Sequence, residues 1–246
     1  VAGTGDGEVG MLDDERRARI VAAVAGPGGT AGIDHLMHRL CSLAVDEMTL
    51  SGCAVVLMSG TVPLGTLAGA GRHAATITEL QFELGEGPCI QACASGVPVL
   101  LPDLAADAGA RWPAFGPAAV AAGVRAEFSL PLSVGPRGIG TFDLCRDEPG
   151  MLSHQHLADA LITADIARDA MLSLQQPPGS VDMAMLLDTI GSDRLVVHQA
   201  TGMIAAQLDD NMVNGLARLR AAGFESGRSI YDIAQDVVAR RVRFNE

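Results

Sequence analysis

Two consecutive prolines constrain this chain more than any other feature. Pro177 and Pro178, inside QQPPGS (175–180), exclude a helix interior, because proline lacks the N–H and its ring clashes with the preceding turn. Strand-like runs and helical stretches mix before this point, and no strand signal follows it. A chain of 246 residues has room for two small domains. The expected division is a loose start and helix over 1–29, a mixed domain over 30–174, a linker over 175–191 and a helical domain over 192–246.

Composition narrows the chemistry. All 17 basic residues are Arg, which removes any P-loop or Schiff-base lysine. The net charge of −12 argues, for the chain as a whole, against nucleic acid and anionic membrane surfaces. The charge is uneven, however: residues 194–244 hold seven Arg against five acids. Five cysteines is an odd number, and the opening VAGTGDGEVG has neither the basic nor the apolar region of a secretory leader. Reduced thiols in a cytoplasm are the expected state. No run approaches the ~20 apolar residues of a membrane span.

Within the first domain, MLDDERRARIVAAVA (11–25) reads as a helix after a frayed start, ended by GPGGTAG (26–32). Ile33, Leu36, Met37, Leu40, Leu43 and Ala44 recur at helical spacing. GCAVVLM (52–58) and LGTLAGA (64–70) read as a strand pair, and VPVLL (97–101) as a short strand. The stretch 71–96 is irregular, and 102–124 is a loop followed by an Ala-rich helix. RAEFSLPLSV and IGTFDLCR form a hairpin about GPRG (135–138), with Pro136 at the position that wants φ near −65°. Ser153 caps a helix through Leu157, Leu161, Ala164 and Met171.

Three helices fit residues 192–244. The first starts at Ser192 or Asp193 and carries Val196, Ala200, Met203 and Ile204 on one face. The second runs from near Asp210 to Gly223, and the third starts near Ser229. Single-face stripes predict mutual burial, and so small a bundle calls for outside support, such as a homodimer.

VVHQATGMIAAQL, NGLARLRAAGF and GRSIYDIAQDVVARRVRF resemble the ANTAR domain, an RNA-binding transcription antitermination module. The signature positions are Ala200 and Gly202, Leu219 and Arg220, and Ala234; Thr201 stands where the family often has Lys. The resemblance implies a paired stem-loop antiterminator RNA as partner, with Arg218, Arg220, Arg228, Arg240 and Arg241 on phosphate and Tyr231 stacking on loop bases. Ala200 and Gly202 would permit close approach. The bland alternative is a solvated arginine face on a tail used only for dimerisation.

FELGEGPCIQACASGVPVLLPDL, RWPAF and the 124–146 hairpin resemble GAF domains, which commonly precede ANTAR domains. The resemblance implies a sensor and leaves its ligand and any cofactor unspecified. The expected fold class is therefore α+β: a GAF-like antiparallel sheet with flanking helices, then an all-α three-helix ANTAR-like bundle. Cys89, Cys93, Trp112, Phe115 and Phe128 are the candidate ligand-pocket or redox residues. Cys89 would start a helix after Pro88, where a thiolate is stabilised, with Cys93 one turn on. The alternative is two buried small hydrophobes. His154 and His156 read as capping and surface residues, and no ligand spacing marks a metal site. No hydrolase, zincin or Walker motif appears, so the chain is expected to be a signal-responsive regulator and not an enzyme. The second function reading is a small-molecule or redox sensor acting through protein partners.

Overall fold

A computed structural model describes residues 5–25, 32–173 and 192–244. The helix break expected at 26–32 falls almost wholly outside the described residues, and the linker expected at 175–191 does so entirely, as do residues 1–4, 174, 245 and 246. The first helix, α1 (Gly5–Ala25), begins before the stretch expected to be helical.

The centre is a five-stranded antiparallel sheet in the order β2-β1-β5-β4-β3, formed by β1 (Gly52–Ser59), β2 (Val62–Gly71), β3 (Val99–Leu101), β4 (Ala126–Val134) and β5 (Arg137–Arg146). Both expected hairpins are present, β1–β2 and β4–β5. The second turns differently from its reading. Val134 pairs with Arg137, so the central residues are Gly135 and Pro136, and Gly135 takes the positive φ of 57° that the first position of such a turn requires.

One face of the sheet is covered by α2 (Ile33–Glu47) and α7 (His154–Ser173), with α1 outside them. Here Cys53, Val55, Phe128, Leu130, Leu132, Phe142 and Leu144 meet Met37, Leu40, Ala160, Ala167 and Met171 in one apolar core. Ser153 accepts the His156 N–H and caps α7 as its position predicts.

The opposite face is covered by four short helices: α3 (Ala74–Leu84), α4 (Pro88–Ser95), α5 (Leu104–Arg111) and α6 (Phe115–Ala121). Most of 71–96, where an irregular stretch was expected, is thus two helices joined by Gly85–Gly87. Residues 104–121 form two helices where a loop and one helix were expected, since Pro113 interrupts them. Asp103 caps α5, and Glu86 Oε1 accepts the N–H groups of Ala114 and Phe115 at 2.7 and 2.8 Å where α6 begins.

Residues 192–244 hold three further helices: α8 (Ser192–Gln207), α9 (Met212–Ser226) and α10 (Ile230–Val238). Asn211, not Asp210, caps α9 through the Asn214 N–H, and the helix passes Gly223 to end at Gly227 in the left-handed conformation. Ser229 caps α10 through the Tyr231 N–H. Val197, Ala200, Ile204, Leu216, Leu219, Ile233, Ala234 and Val237 make a common core. Each of its larger side chains is worth roughly 1.5–3 kcal/mol on burial. One further member comes from α3 of the sheet domain: Phe82, with no exposed surface.

Candidate functional site: a buried polar cluster and a helix with two faces

Strand alternation puts Glu127 and Ser129 of β4, and Thr141 and Asp143 of β5, on the face beneath α3 and α4. Ser129 stands opposite Asp143, so Glu127 and Asp143 are diagonal cross-strand neighbours. All four are buried. Glu127 Oε1 accepts from Gln81 Nε2 at 2.9 Å, and Asp143 Oδ2 accepts from the Thr141 hydroxyl at 3.1 Å. Glu127 Oε2 and Asp143 Oδ1 are buried without any partner, and neither carboxyl makes an ion pair among the described residues.

Such burial favours the neutral acid. Removal from water pushes the Asp143 carboxyl up to about 7, with the Ser129 and Thr141 hydroxyls pulling partly the other way. Glu127 is raised well above the carboxylate range, first by burial and then by Asp143 beside it.

Gln81 ties this polar cluster to the helix above it. Its Nε2 donates to Glu127, and its Oε1 accepts the Cys89 N–H at 2.7 Å, one of the free donors at the start of α4. Of the two readings of Cys89, an activated thiol or a small buried hydrophobe, the geometry matches the second. The thiol is fully buried, and burial, with Asp143 and Glu127 nearby, drives its pKa well up, outweighing the helix start. Cys93 is buried as well and raised by the same burial, and its thiol donates to the Gly60 carbonyl at 3.3 Å. All five cysteines are free.

Trp112 and Phe115 meet edge to face, with ring centroids 6.2 Å apart, in the smaller core among α3–α6. Phe128 does not join them: it lies one strand position from Glu127, so it faces the α2–α7 core on the other side of the sheet. Among the described residues, no group of three or more His, Cys, Asp or Glu is placed to hold a metal ion.

The residues proposed for RNA contact divide into groups. Ala200 is fully buried in the helical core, and a Cβ on Gly202 would meet only Met212 Sδ at 3.8 Å. Thr201 is buried, its hydroxyl donating to the Val197 carbonyl at 2.7 Å. Arg228 and Arg241 both bind Asp236, each at 2.7 Å. Arg218 and Arg240 are exposed and make no ion pair among the described residues. Arg220 and Tyr231 face the sheet domain. Arg220 Nε donates to the Phe82 carbonyl at 3.0 Å, and the Tyr231 hydroxyl donates to Glu79.

Sequence reasoning missed Glu127 and Asp143, although acids at alternating positions in apolar strands mark them. It also missed Glu79, Phe82, Arg194 and His198, which join the sheet domain to the bundle. Phe224 is a further omission. It is 88% exposed and lines a cleft with Arg220, Arg228 and Ser229.

The family model described as GAF domain matches residues 30–171. No curated protein matches the sequence. Among solved structures, the GAF domain of an Acinetobacter phosphoenolpyruvate-protein phosphotransferase is 12% identical, covering 66% of this chain and 94% of that one with a TM-score of 0.50. The corresponding GAF domain from Coxiella burnetii is 11% identical with the same coverage and TM-score. Free methionine-R-sulfoxide reductase from Neisseria meningitidis, in complex with its substrate, is 17% identical over 66% of this chain and 92% of that one, with a TM-score of 0.47. Among the described residues, no helix is long and apolar enough to cross a membrane.

Proposed function

Because this chain belongs to the GAF-domain family, we propose that it is a signal sensor in which this buried polar cluster forms a chamber for a compact small molecule carrying N–H donors. The observation behind this reading is the Glu127–Asp143 pair, two buried carboxyls with unsatisfied oxygens and no ion-pair partner among the described residues. Protein interiors rarely leave such groups without partners, and perturbed carboxyls in one enclosed place mark binding sites. An ammonium or amidinium group placed between them would supply the missing donors. It would also favour their ionised form, so binding releases protons and tightens as pH rises through 7, the region where Asp143 titrates. The buried, protonated Cys89 argues for binding over thiol catalysis.

Melting curves with amino acids, polyamines and guanidino compounds test this directly, since a ligand specific to the folded state raises the transition temperature. An amine that stabilises the parent should leave Asp143→Asn unmoved. If no compound of this class shifts the parent, the reading is wrong.

The output we assign to α8–α10 is RNA binding of the ANTAR type, with a stem-loop antiterminator as partner in a cytoplasmic homodimer. It is supported by the Ala200–Gly202, Leu219–Arg220 and Ala234 pattern on three helices, two of them capped by Asn211 and Ser229, and by exposed Arg218, Arg240 and Arg243. A sensor that signals through protein partners, with the tail used for dimerisation, is the second reading. The inward-facing Arg220 and Tyr231 favour it. Gel-shift titration of a two-hairpin RNA against a loop-scrambled control separates the two. Selective retention supports the first reading, and equal or absent retention supports the second.

A further inference from the structure

Phe82 and Glu79 lie on the outward side of α3, and what surrounds them on the bundle is a ring-and-anion pocket. The Arg194 guanidinium lies 4.5 Å from the centroid of the Phe82 ring, and that of Arg220 5.9 Å away. His198 meets the ring edge-on at 6.0 Å between centroids, with Tyr231 tilted beside it at 6.3 Å. One turn earlier, the Glu79 carboxylate takes Arg194 Nη2 at 2.9 Å and the Tyr231 hydroxyl. Side chains from α8, α9 and α10 thus hold a flat apolar ring and an anion together.

We infer that Arg194, His198, Arg220 and Tyr231 form a nucleotide pocket for the base and phosphate of an unstacked RNA loop residue, and that Phe82 and Glu79 of the sensor occupy it as a built-in stand-in. The inference rests on the RNA-binding reading of α8–α10. Its chemistry follows from the residues. A guanidinium and aromatic rings stack on any base, and an arginine fork takes a phosphate through paired hydrogen bonds.

The present occupants leave part of this capacity unused. Arg194 has only 9% of its side chain exposed, and its Nη1 has no partner. Arg220 is desolvated, with a backbone carbonyl as its only acceptor among the described residues, and burial lowers its pKa to about 10; a phosphate would supply a counter-charge. Glu79, by contrast, keeps 38% of its side chain in contact with solvent, where exchange for another anion costs least. The approach is close. A Cβ on Gly85 would lie 2.5 Å from Arg220 Nη1, so a side chain there would push the guanidinium aside, and the φ of 70° favours glycine independently.

Sensor and RNA therefore compete for one pocket. The chamber has a say in that competition, because Gln81, between Glu79 and Phe82 in sequence, binds Glu127. A chamber ligand that takes over Glu127 and binds better when α3 has moved would shift the balance toward the open pocket, by no more than its difference in affinity for the two states.

The test is fluorescence anisotropy of a labelled two-hairpin RNA with the full chain at fixed salt. Glu79→Gln and Arg194→Gln break the same ion pair from opposite sides. If that pair only supports the fold, both move RNA binding in the same direction. The pocket requires opposite signs: Glu79→Gln tightens binding by about tenfold, while Arg194→Gln weakens it by about tenfold and lowers the salt dependence by about one counterion. Arg194→Lys, which keeps the charge and loses the fork, should fall between the parent and Arg194→Gln. Shifts of equal sign, or none, in a chain that binds the RNA selectively overturn the pocket and leave the RNA-binding reading intact. If no variant prefers the RNA over its loop-scrambled control, that reading fails and the pocket falls with it.

Discussion

The two faces of the sheet are made by alternate residues of the same strands, yet they are built to different standards. On the side of α2 and α7, Phe128, Leu130, Leu132, Phe142 and Leu144 form a continuous apolar core. On the side of α3 and α4, the same two strands present Glu127, Ser129, Thr141 and Asp143, with carboxyl oxygens left unpaired. The first face supplies stability without specifying anything. The second gives up stability by burying polar groups without full partners, as functional sites commonly do.

The largest expected effect tests the apolar face. Phe142 is fully buried, and Phe142→Ala should cost about 3–5 kcal/mol, from lost transfer free energy and the cavity left behind. Urea denaturation measures this as a lowered midpoint at unchanged slope. A loss below about 1 kcal/mol would mean that this core repacks freely and is not the stabilising half.

The polar face should respond with the opposite sign. Asp143 is raised from an ordinary value of 3.8 to about 7 in the folded protein, so the native state holds a proton that the unfolded chain gives up. Stability is therefore greatest below the unfolded pKa and declines as pH rises through the window from about 4 to about 7. Asp143→Asn removes that penalty. It should flatten the decline and stabilise the protein at pH 8 by something of order 2–4 kcal/mol, with little change at pH 4. Melting curves across this range for parent and variant decide it, and parallel profiles would show that Asp143 is not the titrating group.

Reading the sequence captured what periodicity encodes and missed what tertiary context decides. Both hairpins, α2, α7 and the capped α10 follow from alternation, helical stripes and capping residues. Helix α3 escaped because it is buried on two sides. Ile77 packs into the core beneath α3–α6 and Phe82 into the helical bundle, so AATITELQFEL has no single apolar stripe to reveal it. Glu127 and Asp143 escaped for a related reason. In a sheet covered on both faces, alternation shows which residues share a face but not that the polar side is also closed. In α8–α10 the arginines were legible as charge, yet their distribution between Asp236, the sensor and solvent depends on packing that the spacing does not show.

The smallest expected effect lies where the chamber meets the bundle. Gln81 is fully buried and serves both sides: its amide donates to Glu127 and its carbonyl holds the first turn of α4 through Cys89. Gln81→Leu preserves most of the volume and removes both bonds. The Cys89 N–H is then left without an acceptor, and Glu127, already pushed toward its neutral form, loses its donor. Leaving such groups unsatisfied costs about 1–3 kcal/mol, and the lower half is expected here because a neutral Glu127 suffers less from losing a donor than a carboxylate would. Urea denaturation gives that value. The sharper readout is coupling. With Gln81 gone, a chamber ligand loses its link to the helix carrying Glu79 and Phe82, so any amine that stabilises Gln81→Leu should no longer change its RNA affinity. If the ligand still alters RNA binding in Gln81→Leu, the two faces of α3 communicate by another route, and the polar chamber does not act through this side chain.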